Sequence, residues 1–288
     1  MLVYVLTLAV CLFGVSNGLD IGKDEMRLFG GSFANSDKYK YHVAILQVHP
    51  NDTTQVICGG AIIDSRYVLT AAHCVYEIEK SELMVRSGWN VAPENPYEEE
   101  RSYHKVAKII YPKDYFHSHC RHHEHDIAIL KVKKNFDLAE ESQFQKIHLP
   151  VFDNSYDGYD VQFTGYGIHK IRKLVNKNGT VVKELPLYTD RLKFMITQVI
   201  SNEECARKAS SIITNTNICT AAVNLDGFTC LGDDGGPLVY DDMVIGIRNS
   251  HNNKCIHQEP EIYTRVSSYL GFIHKVLNND PSYDIEYI

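Results

Sequence analysis

Eight short stretches, "HVAILQV", "VICGGAIID", "RYVLTAAHC", "DIAILKV", "YDVQFTGYG", "RLKFMITQV", "MVIGIRN" and "EIYTRV", follow one another along the chain with turns between them. Each is apolar or alternates apolar with polar residues, and no long helical pattern intervenes. Many short strands of this kind predict a β-barrel or sandwich rather than a parallel sheet. Asn178-Gly179, set between β-branched runs in "IRKLVNKNGTVVKEL", adds a hairpin signal. One helix is expected, in "VSSYLGFIHKVLNN", where Val266, Tyr269, Leu270, Ile273, Val276 and Leu277 recur at helical spacing. Pro281 lies just beyond it, and the tail "SYDIEYI" is expected to be exposed. All-β folds of roughly 200–250 residues often form one domain, so a chain of 288 residues does not require two independent units.

The formal net charge of −7 offers no basic face for nucleic acid. An apolar fraction of 44% with 23% charged residues suits a globular chain with a sizeable core. The start, "MLVYVLTLAVCLFGVSNG", reads as a secretory signal peptide over 1–18, with Ser16 and Gly18 as small residues before a cut. It is short for a bilayer span of roughly 20 residues, and no later segment is apolar enough to cross, so no membrane partner is expected. Removing Cys11 with the signal leaves Cys58, Cys74, Cys120, Cys205, Cys219, Cys230 and Cys255, an odd set that leaves at least one without an intramolecular partner. Asn51 and Asn178 head glycosylation sequons.

Three separated motifs carry chemistry: "LTAAHC" with His73, "DIAIL" with Asp126, and "GDDGGP" with Asp234. A histidine, a carboxylate and a glycine-rich turn in this order are hard to explain by chance. With "CGG" before the first, the set resembles the trypsin/chymotrypsin-like serine protease family, from 28 to 279. The resemblance implies two six-stranded antiparallel β-barrels with a cleft between them and a C-terminal helix. It implies that His73 matches the general base, Asp126 the residue orienting it, and Gly232 the glycine whose N–H helps form the oxyanion hole. Cys58–Cys74, Cys205–Cys219 and Cys230–Cys255 match three family disulfides, which leaves Cys120 unpaired. "RLFGG" resembles an activation site: residues 19–27 form a short propeptide, cleavage after Arg27 frees the Leu28 amine, and Asp233 receives it. Residues 280–288 form a tail.

The nucleophilic serine of that family is Asp234 here. A carboxylate has no hydroxyl proton to give, so it cannot attack as serine does. Its charge opposes a developing oxyanion and favours protonated His73. The specificity pocket departs as well. Phe228 stands at the pocket base, Glu261 replaces a lining glycine, and Asn249-Ser250-His251 replaces Ser-Trp-Gly on the strand that pairs with substrate. Together these predict an occluded pocket and no enzyme activity.

"FHSHCRHHEHD" crowds His117, His119, His122, His123 and His125 around Cys120. Imidazole and thiolate suit zinc, so this loop is a candidate zinc site, although no cofactor is required by the fold. Cys120 is also a candidate for an intermolecular disulfide, giving a linked dimer. The basic "HKIRKLVNK" reads as a solvated face or as a docking surface for an acidic partner. The leading expectation is a secreted, extracellular, inactive serine protease homologue that binds proteins such as proteases, protease inhibitors or cascade components. Its alternatives are an active endopeptidase of altered specificity and a metal-binding secreted protein using the histidine loop.

Overall fold

The computed structural model describes residues 31–279 and 285–287, except 36, 52, 89–101, 116–123, 140–141, 176–180, 189–190, 210, 222–228, 230–231 and 250–258. After a two-residue β1 (Ser32–Phe33), six strands form a first sheet: β2 (His42–Val48), β3 (Thr54–Asp64), β4 (Tyr67–Thr70), β5 (Leu83–Ser87), β6 (Tyr103–Pro112) and β7 (Ala128–Val132). Their order is β6-β5-β2-β3-β4-β7, and β7 pairs back onto β6, which closes a barrel. A second barrel holds β8 (Asp160–Gly165), then, after a separate antiparallel ribbon of β9 (Ile168–Val175) and β10 (Val181–Tyr188), the strands β11 (Lys193–Ile200), β12 (Asn217–Ala221), β13 (Pro237–Tyr240), β14 (Met243–Arg248) and β15 (Glu261–Arg265). Here the order is β11-β12-β15-β14-β13-β8, closed by β8 on β11. The choice between barrel and sandwich is thus decided by these two closing pairings.

All eight runs lie on strands, and the ribbon β9–β10 pairs Val175 with Val181 on either side of the Asn-Gly signal, whose turn lies outside the described residues. The patterning missed β5, β6, β12 and β13. In β5 the alternation is diluted: Leu83, Val85 and Ser87 are buried, Met84 and Arg86 half-buried. A short helix, α1 (Asn202–Lys208), also went unforeseen, because Cys205 is its one buried residue and leaves no apolar period to read. Its stability is local. The Ser201 hydroxyl accepts from the Glu204 N–H at 3.1 Å, and Glu203–Arg207 and Glu204–Lys208 pair one turn apart. The Cys205–Cys219 disulfide ties it to β12.

The expected C-terminal helix is a 3₁₀ turn over Val266–Tyr269 that continues as α2 (Leu270–Leu277). Val266, Tyr269, Ile273 and Val276 are buried as expected, whereas Leu270 and Leu277 are only half-buried and Phe272 takes a place in the core instead. The tail departs from expectation: β16 (Ile285–Tyr287) pairs antiparallel with β6, Ile285 opposite Pro112 and Tyr287 opposite Ile110.

The barrels meet where β3 abuts the turn before β13. The Gly59 N–H donates to the Asp234 carbonyl at 2.7 Å, and a side chain on Gly59 would sit 3.1 Å from the Gly236 Cα. Gly235 has φ +73° and faces the Gly59 carbonyl and the Thr70 hydroxyl, with no room for a Cβ. Gly235→Ala is expected to cost at least about 2 kcal/mol, through strain and overlap together. Gly271→Ala, on α2 with open space around it, is expected to gain up to about 1 kcal/mol. Denaturant unfolding midpoints of the two variants check both signs.

Candidate active site

His73 sits in a 3₁₀ turn, Ala72–Cys74, directly after β4. The Cys58–Cys74 disulfide anchors that turn to β3. Asp126 precedes β7 and is fully buried. Its two oxygens are both used: Oδ1 accepts from the His73 backbone N–H at 2.8 Å, and Oδ2 meets His73 Nδ1 at 2.7 Å. From the second barrel, Thr264 donates to the Asp126 carbonyl at 2.9 Å. The imidazole is therefore held by one edge, with Nε2 directed at the second barrel. There Asp234 Oδ2 lies 3.8 Å away.

Asp234 is itself buried, at 8% exposure, and its other oxygen is taken by Arg248 of β14. Arg248, also 8% exposed, donates from Nη1 to Asp234 Oδ1 and from Nε to the Thr229 hydroxyl. Charges of alternating sign thus run Arg248, Asp234, His73, Asp126. Burial drags the His73 pKa down, but the Asp126 carboxylate, its hydrogen bond and then Asp234 outweigh this and raise it to about 10. Burial pushes Asp234 up, but the Arg248 guanidinium and then His73 hold it below the usual carboxylate range. At neutral pH the row carries two cations and two anions. The expectation that the Asp234 charge favours protonated His73 agrees with this shift, and Arg248 supplies Asp234 with a counter-charge that the expectation did not include.

Other expected positions are filled as follows. Gly232, half-buried, has φ +93°, a conformation that favours glycine, in the turn leading to Asp234. Asp233 is fully buried and accepts from the Gly167 N–H at 2.8 Å, in a niche where a side chain on Gly165 or Gly167 would collide with it. Glu261 accepts from the Thr229 N–H at 2.5 Å and from the Tyr263 hydroxyl at 2.8 Å, so its charge is turned into the wall beside Arg248. Asn249 is buried at the end of β14, its N–H donating to the Ile262 carbonyl at 3.1 Å. Asn51 is exposed.

Arg27, Leu28, Phe228, Ser250, His251, Asn178, Cys120, His117, His119, His122, His123 and the Cys230–Cys255 pair lie outside the described residues. Of the histidine loop, His125 is described: it is half-buried and its Nδ1 meets the Tyr269 hydroxyl at 3.3 Å. Among the described residues the one triad of potential ligand atoms is Cys58, His73 and Cys74. Both sulfurs are spent in a disulfide, so that triad does not suit a metal.

The sequence reading overlooked Arg248. Its signal was a lone cation ending the apolar run "VIGIR", next to the altered Asn249-Ser250-His251 segment.

The family model described as Trypsin matches residues 29–273. The chain belongs to the trypsin family. It is 30% identical over 248 residues to Chymotrypsin-2 of Vespa crabro, covering 86% of this chain and 99% of the relative. Renal glandular kallikrein of Mastomys natalensis is 27% identical over 289 residues, covering 96% and 98%. Neuropsin, a serine protease expressed in the limbic system of mouse brain, shares the fold with a TM-score of 0.69 at 24% identity, covering 88% of this chain and 99% of that one. A scabies mite inactivated protease paralogue does so with a TM-score of 0.67 at 24% identity, covering 87% and 100%. The expectation that the chain is no enzyme is overturned by the named proteases among these relatives, which make an enzyme the positive reading.

Truncating Asp234 tests the charge row. Asp234→Ala leaves Arg248 buried without its carboxylate and should cost about 3–5 kcal/mol in unfolding free energy. It should also lower the His73 pKa from about 10, though not to the ordinary histidine value, because Asp126 stays. Ring-proton NMR titration reads that shift. The raised His73 pKa stabilises the fold fully below about pH 6.5, and this contribution is lost as pH rises through about 10.

Proposed function

We propose that this chain is a secreted trypsin-family endopeptidase of altered specificity, working with water in place of a side-chain nucleophile. One observation carries the reading: the His73–Asp126 pair is assembled at 2.7 Å and faces Asp234 at 3.8 Å. In this scheme Asp234 Oδ2 accepts a proton from water while the water oxygen bonds to the peptide carbonyl carbon. Protonated His73 then donates from Nε2 to the departing amide nitrogen as the C–N bond breaks, and the Asp234 proton returns to His73. The products are a carboxylic acid and an amine. Asp126 orients the imidazole, and the Gly232 N–H stabilises the oxyanion. The signal peptide over 1–18, release of Leu28 by cleavage after Arg27, and acceptance of its amine by Asp233 belong to the same proposal.

The rate should be low, because a carboxylate held by Arg248 is a weak base. Loss of the serine in a protease of the same chemistry costs about 2 × 10⁶ in turnover, leaving about 10³–10⁴ over water from binding and the oxyanion hole. Turnover of that residual order is expected here.

A fluorogenic peptide library, tested after cleavage at Arg27, examines this. Slow hydrolysis should vanish in His73→Ala. The rate should stay level from neutral pH until His73 loses its proton near about 10, instead of rising through the ordinary histidine range. Hydrolysis no faster than in His73→Ala would refute the proposal and set this chain beside the scabies mite paralogue that is named as inactivated.

A further inference from the structure

Arg248 is the feature of the cleft that the catalytic scheme leaves unexplained. It projects from the end of β14, is almost wholly buried, and its guanidinium bridges two different walls. One is the Asp234 carboxylate; the other is the Thr229 hydroxyl. Thr229 is fixed in turn by the Glu261 carboxylate, which accepts its backbone N–H at 2.5 Å. Glu261 is braced by the Tyr263 hydroxyl at 2.8 Å. The Arg248 guanidinium thus lies in an acceptor cradle made of the Asp234 carboxylate and the Thr229 hydroxyl, with the Glu261 carboxylate behind Thr229. A planar cation with several N–H groups fits such a lining far better than an ammonium or an apolar side chain does. The chain supplies that cation itself.

We propose that the cradle between Asp234 and Thr229 is a guanidinium-binding site occupied by Arg248, which makes Arg248 the specificity-determining residue of the cleft. Occupied in this way, the cradle rejects basic and bulky substrate side chains, and the residue before the cut bond must be small and uncharged. The specificity half of this inference rests on the endopeptidase reading. The occupancy half does not.

The experiment is rescue of a truncated side chain. Arg248→Ala removes the guanidinium and leaves the cradle, and N-ethylguanidinium restores the missing atoms as a free ion. The full chain, as wild type and as variant, is heated with increasing N-ethylguanidinium, with ethylammonium as a cation lacking the planar fork. The variant's melting temperature should rise saturably with N-ethylguanidinium and less with ethylammonium, while the wild type shows no such rise. No saturable rise in the variant, or an equal rise in the wild type, overturns the proposal.

Should Arg248→Ala not fold, the wild type carries the test by NMR. The Arg248 Nε–H, assigned by its loss in Arg248→Lys, should exchange with solvent at least tenfold more slowly than surface arginines. Exchange at the surface rate overturns the occupancy. Rescue without peptide turnover in the wild type would sink the endopeptidase reading and leave the guanidinium site standing. Turnover with a preference for basic residues would overturn the specificity half and leave the endopeptidase reading standing.

Discussion

Four buried or half-buried ionic groups from both barrels lie in one line, Arg248, Asp234, His73 and Asp126, each against a neighbour of opposite sign. Desolvating any one of them alone would be costly, and the arrangement is tolerable because every member has a partner. That requirement reaches well beyond the cleft. It fixes the His73 turn through the Asp126 contacts, the end of β14 through Arg248, and the turn before β13 through Asp234. A buried carboxylate at position 234 is thus not an isolated feature. It needs a cation to answer it, and β14 provides one.

Backbone contacts give this row its setting. Glycines at 59 and 235 let β3 of the first barrel and the turn of the second approach more closely than side chains would permit. The Cys58–Cys74 disulfide fastens β3 to the histidine turn. Loop sequences around the cleft can change while the distance between His73 and position 234 is kept by these main-chain packings.

Much of this was legible in the sequence, and for definable reasons. Strands such as Ala128–Val132 are buried along most of their length and read as apolar runs, and the motifs around His73, Asp126 and Asp234 are ordered and distinctive. What stayed hidden depends on contacts between distant segments. Arg248 looks like a strand-terminal surface cation until Asp234, fourteen residues earlier, is placed against it. The pairing of Ile285–Tyr287 with β6 joins residues far apart in the chain and has no local pattern. Helix α1 is written in caps and charge pairs rather than in apolar spacing. The effect of Asp234 on His73 could be read from the sequence, whereas its Arg248 partner could not.

The C-terminal helix has a consequence for how the molecule is made. Phe272, Ile273 and Val276 belong to the same apolar cluster as Val43, Ile45 and Leu69 of the first barrel, and β16 lies along β6. The amino-terminal barrel therefore lacks part of its covering until the segment from Leu270 to Tyr287 has been synthesised. A nascent or truncated product that lacks Phe272, Ile273 and Val276 presents apolar surface to whatever chaperones attend it.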